Sequence, residues 1–283
     1  MTSASDFGMS VSMRKTLLLV LLASGCGGAS TPATTPVDEA QASSERRIDP
    51  LLVALDNPAR TEEDRARDAA RHPRETLQFF GLEETMDVVE LSPGGGWYTR
   101  ILAPYLAEKG SLTVGLPDGR YGDAFRELAA QDPALYGKVR QARFAPPEGV
   151  EIADESADLV LTFRNVHGWM RAGVDGDVFR AVFRVLRPGG VFGVVQHRDE
   201  EGGELRPDSG YVPESYVIRL AEEAGFVLEA KSDINANPRD TRDHENGVWS
   251  LPPSLRVSDE HRDRMVEIGE SDRMTLKFRK PAH

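Results

Sequence analysis

The stretch from Asp87 to Arg100, DVVELSPGGGWYTR, leaves few choices for the structure around it. Val88, Val89 and Leu91 form the apolar run expected of a buried parallel strand, and Pro93 with Gly94, Gly95 and Gly96 cannot continue it. The chain must turn there. Glycine accepts positive φ and lets a ligand come close to the backbone, and a helix beginning near Trp97 would aim unpaired amides back into the turn. Strand, glycine turn and helix make half of a βαβ unit. A plain strand-to-helix turn without a ligand is the alternative, because a lone glycine motif has low specificity.

The rest of the chain keeps alternating. Thr61 followed by Glu62, Glu63 and Asp64 is a helix start, and a helix from about Glu62 to His72 is expected. It lacks an apolar stripe, so it is expected to lie solvated on the surface with no functional role for its charges. Arg74 to Phe80 offers Leu77, Phe79 and Phe80 for docking before Gly81 stops it. Beyond the glycine turn come a helix over Trp97–Leu106 with Pro104 inside it, a strand over Leu112–Leu116, a helix over Asp123–Ala130 and a strand over Lys138–Phe144. Ala157–Phe163 is a continuous apolar strand, Val178–Leu186 an amphipathic helix, and Arg187 to Gly190 a turn into the strand Val191–Val195. A helix over Pro213–Glu223, a strand over Phe226–Ala230 and a last strand over Met274–Phe278 complete an α/β pattern with helices on both faces of a mostly parallel sheet. The segment from Asn235 to Asp263 is polar and broken by proline, and its Val248, Trp249 and Leu251 suggest a lid over the strand ends, with Arg239, Arg242 and His244 facing a substrate.

A formal net charge of -12 over 283 residues gives no overall attraction to a nucleic-acid backbone, so a small molecule is the expected partner and nucleic acid is not. The single cysteine excludes an intramolecular disulfide and any multi-cysteine metal site, and the scattered histidines have no ligand spacing, so no metal is expected. Cys26 follows a short basic start at Met13 to Lys15 and an apolar run, Thr16 to Leu22, that is too short to span a bilayer. LLASGC resembles a bacterial lipoprotein signal, which implies cleavage before Cys26, a lipid on that residue and a membrane anchor on the periplasmic side. The organisation expected is a signal over 1–26, a tether over 27–47 rich in small residues and proline, and one domain over 48–283. Oligomeric state is left open.

Four segments together, VELSPGGG, ADLVLTFRNVHGW, FRVLRPGGVFGVV and SDRMTLKFRKP, resemble the class I S-adenosylmethionine-dependent methyltransferases. More narrowly, PGGGWYT, FRNVHGW, QHR and GVWSLPP are similar to a group of bacterial predicted methyltransferases with no assigned substrate. The resemblance implies a Rossmann-like, doubly wound, seven-stranded and mostly parallel sheet whose last strand is antiparallel, with S-adenosylmethionine over the carboxyl ends of the first strands. It implies that Glu90, Gly94 and Gly96 line the methionine side of that cofactor, with the loop amides beside its carboxylate and Ser92 and Gly95 also among the cofactor-binding residues. Ser92 stands in place of the family's first glycine, and Leu116 in place of its ribose-binding acid, for which Asp118 is the candidate substitute.

Methyl transfer from a sulfonium is an in-line displacement that needs positioning, exclusion of water and, for a protonated acceptor, a base. Side chains at the carboxyl ends of the central strands are the candidates: Asn165 and His167 after the fourth strand, His197 and Arg198 after the fifth. The imidazoles can take a proton, and Arg198 can clamp a carboxylate or phosphate. Trp97, Tyr98 and Trp169 can stack on a ring or pack in the core. A nicotinamide dehydrogenase would require glycine where Thr99 stands. Three readings stay open: a methyltransferase outside the inner membrane, one that stays inside, and an exported, non-catalytic nucleotide- or small-ligand-binding module on the same fold.

Overall fold

The strand at the centre of the sheet is the one that ends in the glycine turn. In the computed structural model, which describes residues 49–282, that strand is β1 (Asp87–Leu91). The others are β2 (Ser111–Leu116), β3 (Arg140–Ala145), β4 (Gly149–Val150), β5 (Ala157–Phe163), β6 (Leu186–Asp199), β7 (Val212–Pro213), β8 (Val227–Ser232) and β9 (Arg273–Arg279). The helices are α1 (Pro50–Leu55), α2 (Glu62–Ala66), α3 (Asp68–Arg71), α4 (Pro73–Phe80), α5 (Thr99–Leu106), α6 (Arg120–Gln131), α7 (Pro133–Tyr136), α8 (Val166–Ala172), α9 (Asp175–Val185), α10 (Glu214–Glu223) and α11 (Asp259–Ile268). The signal segment, Cys26 and the tether lie outside the described residues, as does His283.

The sheet runs β4-β3-β2-β1-β5-β6-β9-β8, with β7 paired to β6. β1 is parallel to both β2 and β5, so the chain leaves β1 in one direction and later returns to its other side. That reversal opens a crevice at the carboxyl ends of β1 and β5, where ligands of open α/β sheets bind. β9 is antiparallel to β6 and β8, as expected of the last strand. The sheet has nine strands, not seven. The extra ones, β4 and β7, are two-residue pairings, too short to leave a hydrophobic pattern in the sequence.

Two apolar clusters cover the two faces, one around Leu77, Ile101, Leu102 and Phe125, the other around Phe179, Val182, Phe192 and Phe278. Packing is close at Gly193 of β6, where a Cβ would come within 2.8 Å of Phe80 and Leu161. Two local expectations change. Arg187 to Gly190 does not form a separate turn but leads into β6 as a bulge, the register jumping from Ala157↔Leu186 to Leu159↔Val191. The helix expected over Glu62–His72 is split at Arg67, and His72 ends the second piece in a left-handed conformation (φ 40°). Nor is this region simply solvated. Arg60, Asp64 and Arg71 are buried, with exposures of 1%, 7% and 2%. Among the described residues no helix is long and apolar enough to cross a membrane.

Candidate active site

The glycine turn is shaped by its own backbone. Ser92, although not glycine, takes a left-handed conformation (φ 47°), and Gly94 (φ 58°) and Gly96 (φ 73°) do the same. The serine therefore takes a backbone path that glycine adopts more easily, at a cost of roughly 1–2 kcal/mol. A Cβ built on Gly94 or Gly95 would meet no heavy atom within 4 Å, so the turn leaves open space above it. Gly96 is covered instead, with Tyr136 Oη 3.0 Å from its would-be Cβ. Arg100 holds the turn from behind, donating to the Gly95 carbonyl (2.8 Å) and to both Asp64 oxygens (2.7 and 3.0 Å). Glu90 lies fully buried beneath it and accepts from Thr99 Oγ1 (2.6 Å). Burial pushes the Glu90 carboxyl up to about 7, against the opposing hydrogen bond from Thr99. Glu90 thus lines none of the chambers described below and is tied through Thr99 to the start of α5.

Three adjoining chambers open at the switch point. The largest of them, about 560 Å³, lies between the turn, the ends of β2 and β3, and α8, with Leu116, Pro117, Phe144 and Trp169 among its walls. A second, about 350 Å³, shares Ser92, Pro93, Gly94, Arg164, Asn165, His167 and Trp249 with the first and adds Arg67, Arg71 and Trp97. A third, about 230 Å³, shares Arg67, Arg164, His197 and Trp249 with the second and reaches Glu270, Ser271 and Arg273. Asp118 borders none of them: it is exposed and paired with Arg143 (2.6 Å). The side chain after Pro117 turns outward, and the crevice receives no carboxylate from the end of β2.

The strand ends bring Asn165, His167 and His197 together but not Arg198. Asn165 Nδ2 donates to the Leu91 carbonyl and to Thr162 Oγ1, both at 3.0 Å, tying the end of β1 to β5. Gln196, buried on β6, accepts from the Val166 amide (3.1 Å), so its NH2 faces Gly210 O (2.9 Å) and His167 Nδ1 (3.3 Å). An amide N–H can only donate; Nδ1 of His167 therefore accepts, and the ring proton sits on Nε2. Burial brings His167 down to about 4. His197, 5.8 Å away between ring centroids, bonds through Nδ1 to Ser271 Oγ (2.5 Å), leaving Nε2 for another partner. Burial first, then Arg164 and Arg273, hold its pKa well below the usual value, so both imidazoles are neutral at pH 7. Arg198 points away, into ion pairs with Asp272 (2.9 Å) and Asp233 (2.8 Å). It does not act as a clamp in these chambers.

The lid segment covers this region with Trp249, while Val248 and Leu251 are buried beneath. The arginines and histidine expected to face substrate from it do otherwise. Arg239 is exposed, Arg242 bonds Asp272 (2.6 Å) and the Arg198 carbonyl (2.9 Å), and His244 bonds Asp240 (2.9 Å). Trp97 and Tyr98 are largely packing residues. The Arg60 and Arg71 guanidinium groups both lie over the Trp97 ring (5.1 and 4.6 Å), and Tyr98 stacks on Phe163 with centroids 3.5 Å apart.

Sequence reasoning missed the cations. Arg67, Arg71, Arg164 and Arg273 converge on the second and third chambers. Arg164 carried a signal, standing at the carboxyl end of β5 one residue before Asn165. Arg67 and Arg71 are spaced to share one helix face.

The comparisons agree with this architecture. The sterol 24-C-methyltransferase of Yarrowia lipolytica is 26% identical over 229 residues, covering 72% of this chain and 55% of that protein. The sterol 24-C-methyltransferase erg-4 of Neurospora crassa is 26% identical over 236 residues, covering 76% and 56%. The chain spans about half the length of the curated relatives it matches. No family model matches. A SAM-dependent methyltransferase from Aquifex aeolicus superposes with a TM-score of 0.52 at 16% identity, covering 83% of this chain and 100% of that one. The chain has the Rossmann-like methyltransferase fold. The [4+2]-cyclase SpnF superposes with a TM-score of 0.55 at 16% identity, covering 76% of this chain and 81% of that one. A methyltransferase-like fold therefore does not by itself fix the reaction.

Proposed function

We propose that the chain is an S-adenosylmethionine-dependent methyltransferase acting on a small molecule. One observation carries the reading: the open glycine turn at the switch point borders the same space as the neutral polar groups at the ends of β5 and β6. The residues fit the cofactor in two respects. The space over Gly94 and Gly95 admits an amino-acid tail beside backbone amides, and Leu116, Pro117 and Phe144 offer apolar walls to a purine. When bound, the cofactor supplies a methyl group activated by a sulfonium. The protein's part is placement. Asn165 fixes the end of β1 against β5, His167 presents Nε2–H as a donor, and Nε2 of His197, free of the Ser271 bond, can meet a polar group of the acceptor. Trp249 and the lid limit the access of water. The sterol in the names of the relatives is not carried over, since charged side chains border the two inner chambers.

Calorimetric titration of S-adenosylmethionine into the full-length protein tests this reading, beside a Gly94→Asp variant whose side chain enters the open space. Micromolar binding that the variant loses supports it. A folded protein that binds no cofactor at millimolar concentration refutes it and leaves a non-catalytic binding module, the reading that Leu116 and the outward turn of Asp118 favour.

A further inference from the structure

The arginines at the inner chambers are not balanced by the protein. Glu270 is shared by Arg67 (2.6 Å), Arg71 (3.3 Å) and Arg273. Against the upward push of burial, Arg273, Arg71 and Arg67 hold its carboxyl down at about 2, so it contributes one full negative charge at neutral pH. The guanidinium of Arg164 makes no hydrogen bond or ion pair among the described residues, although it is half-buried and borders all three chambers. Four cations thus face one anion, an excess of three positive charges. Arg60 and Arg100 do not add to it, because Asp68 and Asp64 neutralise them. Arg67 Nη2, Arg71 Nη2 and Arg273 Nε are buried without a partner, and Arg71 and Arg273 are only 2% and 3% exposed. Leaving donors of buried cations unsatisfied is costly, and a bound anion would supply the missing charge and acceptors. Arg164 also holds a left-handed conformation (φ 66°), which for a non-glycine residue marks a position maintained at a cost.

S-adenosylmethionine cannot be that ligand alone. Its carboxylate offsets one charge, but its ammonium and sulfonium add two, so its arrival increases the excess. We propose that the inner chamber beneath Trp249 binds the anionic group of the methyl acceptor, a compact carboxylate or phosphate held by Arg67, Arg164 and Arg273 beside His197. The chamber's volume of about 230 Å³ suits such a head group, and Ser271 also lines it. The anion is a handle: it places the rest of the acceptor toward the second chamber and the glycine turn. This assignment deepens the methyltransferase reading and rests on it only for the word acceptor.

The test uses full-length protein without cofactor, titrated calorimetrically with inorganic phosphate and, separately, with malonate, and followed by thermal denaturation. Saturable binding of either anion, with a rise in Tm, is expected, and the tighter of the two identifies the head group as phosphate or carboxylate. Arg164→Gln and Arg67→Gln should each weaken that binding on the order of 10–100-fold. Arg164→Gln should also raise the Tm of the anion-free protein by about 2–4 °C, because it removes an uncompensated cation. Arg164→Lys should recover part of the binding. Three results overturn the inference: no saturable binding of either anion at millimolar concentration; an Arg164→Gln protein that melts lower and binds the anion unchanged; or anion binding abolished by saturating S-adenosylmethionine, which would place the anion in the cofactor's own carboxylate position. Anion binding in a protein that does not bind S-adenosylmethionine supports the site while refuting the methyltransferase reading, so the two fail separately.

Discussion

Replacing Glu90 by Gln should stabilise the protein in a way that depends on pH. Glu90 is 2% exposed, its carboxyl is pushed from the ordinary 4.5 up to about 7 by burial, and its one hydrogen bond, from Thr99, can be accepted equally by an amide oxygen. A carboxyl that binds its proton more tightly in the folded state makes folding less favourable as pH rises from the unfolded value through the folded one. The gap between 4.5 and about 7 corresponds to roughly 3 kcal/mol, fully expressed above pH 7 and nearly absent below pH 4.5. Gln has no charge to bury. Glu90→Gln should therefore exceed the parent by roughly 3 kcal/mol near pH 8, about 6–12 °C in Tm for a chain of this size, and by less than about 1 kcal/mol near pH 5. Paired thermal melts at the two pH values, followed by circular dichroism, measure the difference. A gain that is the same at both values, or a loss near pH 8, would refute the view that a buried, weakly acidic carboxyl underlies the turn.

Gln196→Glu replaces a donor to His167 with an acceptor, so the ring proton should move to Nδ1 and the pKa should rise from about 4 by roughly 1–3; nitrogen chemical shifts that still report an Nε2–H tautomer would count against it. Gly193→Ala drives a methyl group to within 2.8 Å of Phe80 and Leu161, both fully buried, and should cost about 1–3 kcal/mol in urea denaturation; an unchanged midpoint would show that the contact yields. If Cys26 carries lipid, as its sequence context suggests, Cys26→Ser should move the protein from the membrane fraction to the soluble one; a variant that still sediments with membranes rules out that anchor.

The parallel core was legible because strands buried on both faces read as continuous apolar runs: ADLVLTF becomes β5 with the bounds its pattern suggests. The glycine turn was legible because little else can follow β1 through Pro93 and three glycines. The arginine site was not, because it is assembled across the chain. Arg67 meets Glu270 over a separation of 203 residues, and an individual arginine on a helix without an apolar stripe looks solvated until the tertiary contact is known. Asp118 misleads for a related reason. Its distance along the chain from β2 is suitable, but it sits beside Arg143 of the neighbouring β3, a better partner than open solvent. Hydrogen-bond geometry likewise distinguishes His167 from a free base, since the role of Nδ1 is decided by Gln196, about 30 residues further on.

Trp249 borders all three chambers and also an outer vestibule of about 610 Å³ lined by Tyr121, Arg171 and His244. Its base is held firmly, since Asn246 N–H donates to Ser250 Oγ (3.0 Å) and the Trp249 carbonyl accepts from Arg256 N (2.8 Å). The backbone is thus fixed while the indole remains the shared wall of four spaces. Because one ring bounds all four, a substitution there alone would alter every boundary at once, without moving a loop.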